Sequence, residues 1–477
     1  MSAPRLRVTG SRLRIRNLFT RLPFRFGSVT MEAAPLALLE VDVAFEDGGT
    51  QRGVAGDFLS IKWFDKRPEK SPAENVADLL QALRHARAVY SEAGAGTPFG
   101  SWDATYDEIE RRVSADGFVR LGASFAASML ERAVIDATGR HLGQSFDAMV
   151  RTNALGIVPQ KVHADLGQGD LERALPERPS ARVAVRHTVG LVDPLAAGEA
   201  DAAPDDGLPV TLAQYLTRDG LRWLKIKVSG DVEADRARLE RIAAVIASHG
   251  RPVRCTLDGN EQFSSVEQLA SFFEAVRTAP ELHSLWRSVA FIEQPLHRDT
   301  AMARPLDAAE RRAIGRPLLI DESDDRPTAF REAIELGYRG VSHKNCKGVY
   351  KSLLNAALAA RHDRADDRHF LSAEDLTNLP MVPLQADLAV VATLGIEHAE
   401  RNGHHYFHGL DHLTDGERRR ALGHHPELYG EAGLRIRDGM LEIGSLQVPG
   451  LGVVDRPDEV AGVAEEDWRF EMLEKDS

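Results

Sequence analysis

Hydrophobic and polar positions change rhythm twice along this chain of 477 residues. Between residues 4 and 60, the runs RLRVTGSRLRIRNL, SVTMEAAPLALLEVDVAF and RGVAGDFLSI are separated by turn signals such as Glu46-Asp47-Gly48-Gly49. That pattern predicts the strands of a small meander. From about residue 73 to 175 the apolar residues recur at steps of three and four, as in NVADLLQALRHARAVYSEAG and SFAASMLERAVIDATGRHLGQ, which predicts helices. From Arg182 onward the rhythm is strand, loop, helix, repeated. Strands are expected at 182–191, 221–228, 253–257, 289–292, 317–320, 340–344, 369–371 and 393–398, with helices between most of them. Eight short strands alternating with helices indicate a parallel sheet, and eight is a number that closes a barrel. The run 196–208, rich in Ala, Asp, Gly and Pro, reads as a surface insertion after the first of these strands. The tail GLRIRDGMLEIGSLQVPGLGVVD holds two strand-like runs joined by Asp438-Gly439 and is assigned to the first sheet rather than to the barrel. The expected organisation is an N-terminal α+β domain over 1–165, an α/β barrel over 166–430, and a C-terminal segment, 431–477, that returns to the first domain.

Composition narrows the function classes. At 43% hydrophobic and 27% charged the chain is an ordinary soluble globular protein, long enough for two domains. A formal net charge of -13 argues against a nucleic-acid partner held through phosphates. No apolar run approaches the roughly 20 residues that cross a bilayer. Cys255 and Cys346 stand alone and far apart, which excludes a thiolate zinc cluster and suits a cytoplasmic location. The first residues are Arg-rich and acid-poor, as in transit peptides, but Leu6, Val8, Leu13, Ile15 and Leu18 fit an amphipathic first strand better.

The chemistry begins at LRWLKIKV. Lys225 and Lys227 are two apart in a strand, so they share a face, opposite Leu224, Ile226 and Val228. Two inward ammonium groups are costly unless anions, a metal or a proton-transfer task offset them. In a closed barrel the chemistry sits at the C-terminal strand ends. Reading those ends gives Asp258 in TLDGN, Glu293 in FIEQP, Asp321 in LIDES and Lys344 in VSHKN. Three carboxylates converging from adjacent strands make an oxygen-donor site suited to Mg²⁺ or Mn²⁺ rather than zinc.

The ordered set KIK, LDGN, FIEQP, IDES and HK, preceded by a sheet-and-helix region and followed by a PGLG tail, resembles the enolase superfamily. Within it the set looks like the muconate-lactonizing-enzyme subgroup of the mandelate racemase/muconate lactonizing enzyme family. The resemblance implies a modified TIM (β/α)7β barrel with an N-terminal capping domain completed by the C-terminal tail. It implies metal ligation by Asp258, Glu293 and Asp321, a strand-two acid/base at Lys227, a carboxylate-holding lysine at Lys225, and an opposing acid/base at Lys344. Asn260 and Glu322 are expected around this set. Proton abstraction next to a carboxylate follows, with enediolate formation and an outcome of racemisation or epimerisation, dehydration, or cycloisomerisation. The base would be a neutral lysine, its pKa pushed down by burial and neighbouring cations. The implied partners are a small carboxylate substrate and further copies of the chain.

Specificity is expected from the ends of strands seven and eight, where Glu374 and Asp375, then Glu397, His398, Glu400, Arg401 and Asn402, are available. Phe24 and Phe26, or Phe58 and Trp63, could lid the pocket from the first domain, with core or surface packing as the alternative. The cluster His404, His405, His408, bracketed by Gly403 and Gly409, reads as a loop or surface feature rather than a metal site. Two other functions fit parts of the pattern. A Schiff-base aldolase on the same barrel would use Lys344 or Lys227 as a nucleophile and leave the three acids without a purpose. A non-catalytic binding protein could retain the fold.

Overall fold

In a computed structural model, which describes residues 3–26, 29–200, 204–454 and 461–474, the chain opens with three long antiparallel strands. They are β1 (Leu6–Phe26), β2 (Val29–Phe45) and β3 (Thr50–Phe58). Three helices follow: α1 (Pro72–Glu92), α2 (Pro98–Ala115) and α3 (Arg120–Leu142). Ser71 and Glu74 start α1 with a reciprocal cap, each side chain meeting the other's backbone amide. Helix α3 is apolar around most of its circumference and almost entirely buried, lying against β3 on one side and the barrel on another.

Eight parallel strands then close on themselves. They are β4 (Arg182–Val189), β5 (Trp223–Lys227), β6 (Arg254–Asp258), β7 (Val289–Glu293), β8 (Leu318–Ile320), β9 (Gly340–His343), β10 (Phe370–Ala373) and β11 (His398–Arg401). Pairing of His398–Arg401 with Ala184–His187 completes the barrel. A helix follows each of the first seven strands, so the (β/α)7β reading holds. Among the described residues no helix is long and apolar enough to cross a membrane.

Two expectations are corrected. The last strand is not 393–398: helix Val382–Leu394 takes the first two residues of that run and is capped at Gly395, whose φ of 68° is left-handed. The strand begins only at His398. The tail also divides. Strand β12 (Met440–Glu442) runs antiparallel to Arg182–Ala184 at the start of β4, a stretch that β5 does not reach, and so belongs to the barrel. Further on, Gly450 and Leu451 donate backbone N–H groups to Gln144 and to Asp136 of α3, and β13 (Val463–Ala464) pairs with Arg14 and Ile15 of β1. The first sheet therefore has the order β13-β1-β2-β3.

Candidate active site

The C-terminal ends of the barrel strands face the first sheet, and a cavity lies between them. Phe24, Met31, Phe58 and Trp63 wall it from the sheet side; Lys225, Lys227, Lys344 and Glu400 line it from the barrel. Lys225 and Lys227 alternate on β5 with the fully buried Leu224 and Ile226, as their spacing requires. Lys227 and Lys344 belong to the second and sixth barrel strands, which stand across the barrel from one another, yet both reach this cavity.

The floor is an ionic cluster. Nζ of Lys225 lies 3.0 Å from Asp258, 2.8 Å from Glu293, 2.7 Å from Glu374 and 3.0 Å from Glu400. Lys227 donates to the same Asp258 oxygen at 2.5 Å. Arg186, from inside β4, donates to Glu374, and Thr188 donates to Glu400 at 2.6 Å. On the other side Lys344 donates to Asp321 at 2.7 Å, and Lys347 lies 3.2 Å from its second oxygen. Nζ of Lys344 also sits 4.3 Å from the centre of the Trp63 ring, a cation–π contact between barrel and cap.

These contacts set the charge states. Burial alone would push the Lys225 ammonium toward neutrality, but Asp258, Glu293 and the other acids outweigh it and hold the group well above the ordinary lysine value. Burial acts the same way on Lys344, where Asp321 more than reverses it. Both groups are therefore held as ammonium ions, because each is given its own carboxylates. Glu374, which burial would raise, is held at about 2 by Arg186 and Lys225. Glu293 is driven well above the carboxylate range by burial and by its neighbours Asp258 and Glu374. Asp375, beside the cavity, is raised to about 7 by burial despite Arg401.

Among the described residues no three His, Cys, Asp or Glu side chains stand together in an arrangement that would hold a metal ion. Asp258 and Glu293 share Lys225, while Asp321 is turned to Lys344 and Lys347. The donor chemistry still suits a hard cation. All three are buried carboxylates at the ends of consecutive strands, and Oε2 of Glu293 receives no hydrogen bond, only the ion-pair approach of the Lys225 ammonium. Four acids here face three cations, Lys225, Lys227 and Arg186, and the carboxyl left unmatched is Glu293, the one driven well above the carboxylate range.

Other sequence candidates separate. Phe24 forms part of the wall and stacks on Tyr406 at 4.0 Å; the side chain of Phe26 lies outside the described residues. Asn260 lines the cavity, and its backbone N–H donates to Asp258. Glu322 does not line it: its carboxylate turns to Lys66 at 3.0 Å, in a bridge between cap and barrel that also holds Glu261 and Arg298. Glu397 and His398 lie at the opposite end of the barrel, where His398 stacks on Trp223 at 3.9 Å, because β11 starts rather than ends at His398. Glu400, two residues into that strand, takes the inward position. Of the histidine cluster, His408 is exposed as expected, but His405 is buried and His404 half-buried: a short turn of helix, Gly403–Tyr406, packs them against His187, Tyr215 and Asp193. Arg186, Thr188 and Lys347 were not anticipated. Arg186 carries the signal that marked Lys225, a charge inside an apolar strand; nothing comparable marks Thr188.

A sequence profile described as enolase C-terminal domain-like matches residues 209–459, more than half of the chain. No curated protein matches the chain. Among solved structures, an enolase from Bradyrhizobium complexed with magnesium and mandelic acid is 18% identical, with a TM-score of 0.60 over 96% of this chain and 99% of that one. A muconate lactonizing enzyme from Pseudomonas fluorescens complexed with muconolactone is 16% identical, with a TM-score of 0.57 over 96% and 99%. A 2-chloromuconate cycloisomerase from Rhodococcus opacus 1CP is 17% identical, with a TM-score of 0.56 over 94% and 96%. At these identities the likeness is one of fold.

Proposed function

The chain belongs to the enolase superfamily, and from that premise we propose that it is an enzyme that removes the proton next to a substrate carboxylate. The observation that carries this reading is the pair of lysines, Lys227 and Lys344, brought from opposite strands into one cavity above a bed of carboxylates.

In the proposed reaction the carboxylate of the substrate lies toward Lys225, whose ammonium donates to it. Lys227 takes the α-proton on one face. Lys344, kept protonated by Asp321, delivers a proton on the other. A Mg²⁺ ion, or Mn²⁺ by the same donor chemistry, held by Asp258, Glu293 and Asp321 would supply positive charge for the enediolate that forms. Phe24, Phe58 and Trp63 exclude water from that charge and leave an apolar wall, which favours small carboxylic acids with an apolar substituent. That structural neighbours hold mandelic acid or muconolactone supports a small organic acid. Racemisation, dehydration and cycloisomerisation all start from this step.

The test is exchange of the α-proton in D₂O with Mg²⁺, across a panel of sugar acids, N-acyl amino acids, dipeptides and lactones. Lys227→Ala should abolish exchange on any acid that the unaltered protein labels, and chelation should do the same reversibly. Undiminished exchange in Lys227→Ala would remove that lysine from the mechanism.

A further inference from the structure

The wall residue Trp63 belongs to the stretch 59–71 that joins β3 to α1, and a barrel residue grips its backbone. Arg298 opens a short helical turn, Arg298–Ala301, in the loop after β7. Its guanidinium forks in two directions. Toward the cap it donates to the carbonyl of Phe64 at 2.7 Å and to that of Trp63 at 3.1 Å. Toward the barrel, Nε and Nη2 each donate to the Glu261 carboxylate at 2.8 Å, and the backbone N–H of Arg298 donates to it at the same distance.

Glu261 is itself fixed. Its side chain is 1% exposed, and the backbone at Asn260 and Glu261 has φ of 40° and 70°. Residues other than glycine enter that left-handed region only where their surroundings hold them there. The backbone N–H of Glu261 donates to the carbonyl of Gln294, just past β7, at 2.8 Å. On the cap side, the Trp63 ring stands 4.3 Å from the Lys344 ammonium and meets the Phe64 ring edge-on at 4.7 Å. Lys66 ties the same stretch to the barrel separately, at 2.5 Å from Glu261 and 3.0 Å from Glu322. What Arg298 adds to that tie is its hold on the peptide groups that carry Trp63 and Phe64. Arg298 does not line the active-site cavity.

We infer that Arg298 is a positioning residue: braced by Glu261, it aims the Trp63 ring at Lys344 and so fixes where that ammonium stands for proton delivery. Arginine suits the task because its planar, divergent donors span a carboxylate and two carbonyls at once, which a lysine ammonium does not. The consequence for catalysis rests on the role proposed above for Lys344; the hold on Trp63 does not.

Two measurements separate the hold from its consequence. In a full-length protein whose other four tryptophans are phenylalanine, acrylamide quenching reports Trp63 alone. Arg298→Gln should raise the quenching constant there at least threefold. In the otherwise unaltered chain with Mg²⁺, α-proton exchange needs Lys227, whereas net conversion of the acid also needs the proton from Lys344. Arg298→Gln should slow conversion at least tenfold and exchange less than threefold, a split that general loosening of the fold, which lowers both, does not produce. Arg298→Lys should behave as Arg298→Gln does, and Arg298→Gln added to Trp63→Ala should slow conversion by no more than a further twofold. Unchanged quenching would overturn the hold. Equal losses of exchange and conversion, full conversion in Arg298→Lys, or an additive loss in the double variant would overturn the positioning role. If the unaltered protein converts no acid, the role given to Lys344 fails, and quenching alone decides whether Arg298 holds Trp63.

Discussion

Glu131 sits in the middle of α3, fully buried, with one oxygen accepting the amide of Val349 and the other without a partner. Burial raises its pKa from 4.5 to about 7. A carboxyl raised on folding contributes its full stability below its unfolded value and loses it as pH rises through the folded one. The interval from 4.5 to about 7 corresponds to roughly 3 kcal/mol at about 1.4 kcal/mol per pH unit. Glu131→Gln, which keeps an acceptor for Val349 and cannot ionise, should therefore gain on the unaltered protein between pH 4.5 and 7, as read in urea midpoints. Parallel profiles for the two proteins would contradict the assignment. At this scale the sequence was legible wherever a charge interrupted an apolar strand, as at Lys225, Lys227 and the acids that end β6 to β8. It was silent on Glu131, whose helical neighbours do not distinguish a buried acid from a solvated one.

Helix α3 and strand β3 touch so closely that a Cβ on Gly53 would stand 1.9 Å from the carbonyl oxygen of Ala133. Backbone cannot yield as a side chain can, so Gly53→Ala should cost about 3 kcal/mol or more and lower the melting temperature sharply. A melting curve within a degree of the unaltered protein would mean that the helix moves freely over the sheet. The contact matters because the far side of α3 carries Ser128, which donates to Cys346 at 3.0 Å, next to the loop that presents Lys344. Arg132 pins the near side, donating to Asp57 at 2.7 Å and to the carbonyl of Gly56. Elements of this kind were readable from period alone: three strands, the α1 and α3 helices and seven of the eight barrel strands stand near their expected places. The eighth was misplaced because Thr393 and Leu394 carry the apolar signal of a strand, while the stop at Gly395 is a helix ending. That slip put Glu397 and His398 among the expected pocket residues beside Glu400, which alone of the three faces the cavity.

Taken whole, the molecule holds its barrel inside an interrupted cap. Chain elements from both flanks of the barrel, β1 and β13, pair in one sheet, and the turn at Gly450 docks on α3 between them. The sequence placed both ends of this arrangement with the cap but also sent Met440–Glu442 there, because a short strand does not reveal which free edge will take it. Joining such distant partners has a modest thermodynamic penalty, since loop-closure entropy grows only logarithmically with length. Its effect is on timing, because non-local pairings form late. On dilution from denaturant, far-UV signal should return before the fluorescence of Trp63, which reports the finished wall and is read in a variant whose other four tryptophans are phenylalanine; simultaneous recovery would argue that both halves assemble as one unit. A partly renatured molecule would thus expose its lysines to bulk water, an amine-bearing bowl with no roof, able to meet acids but not yet to shelter a carbanion.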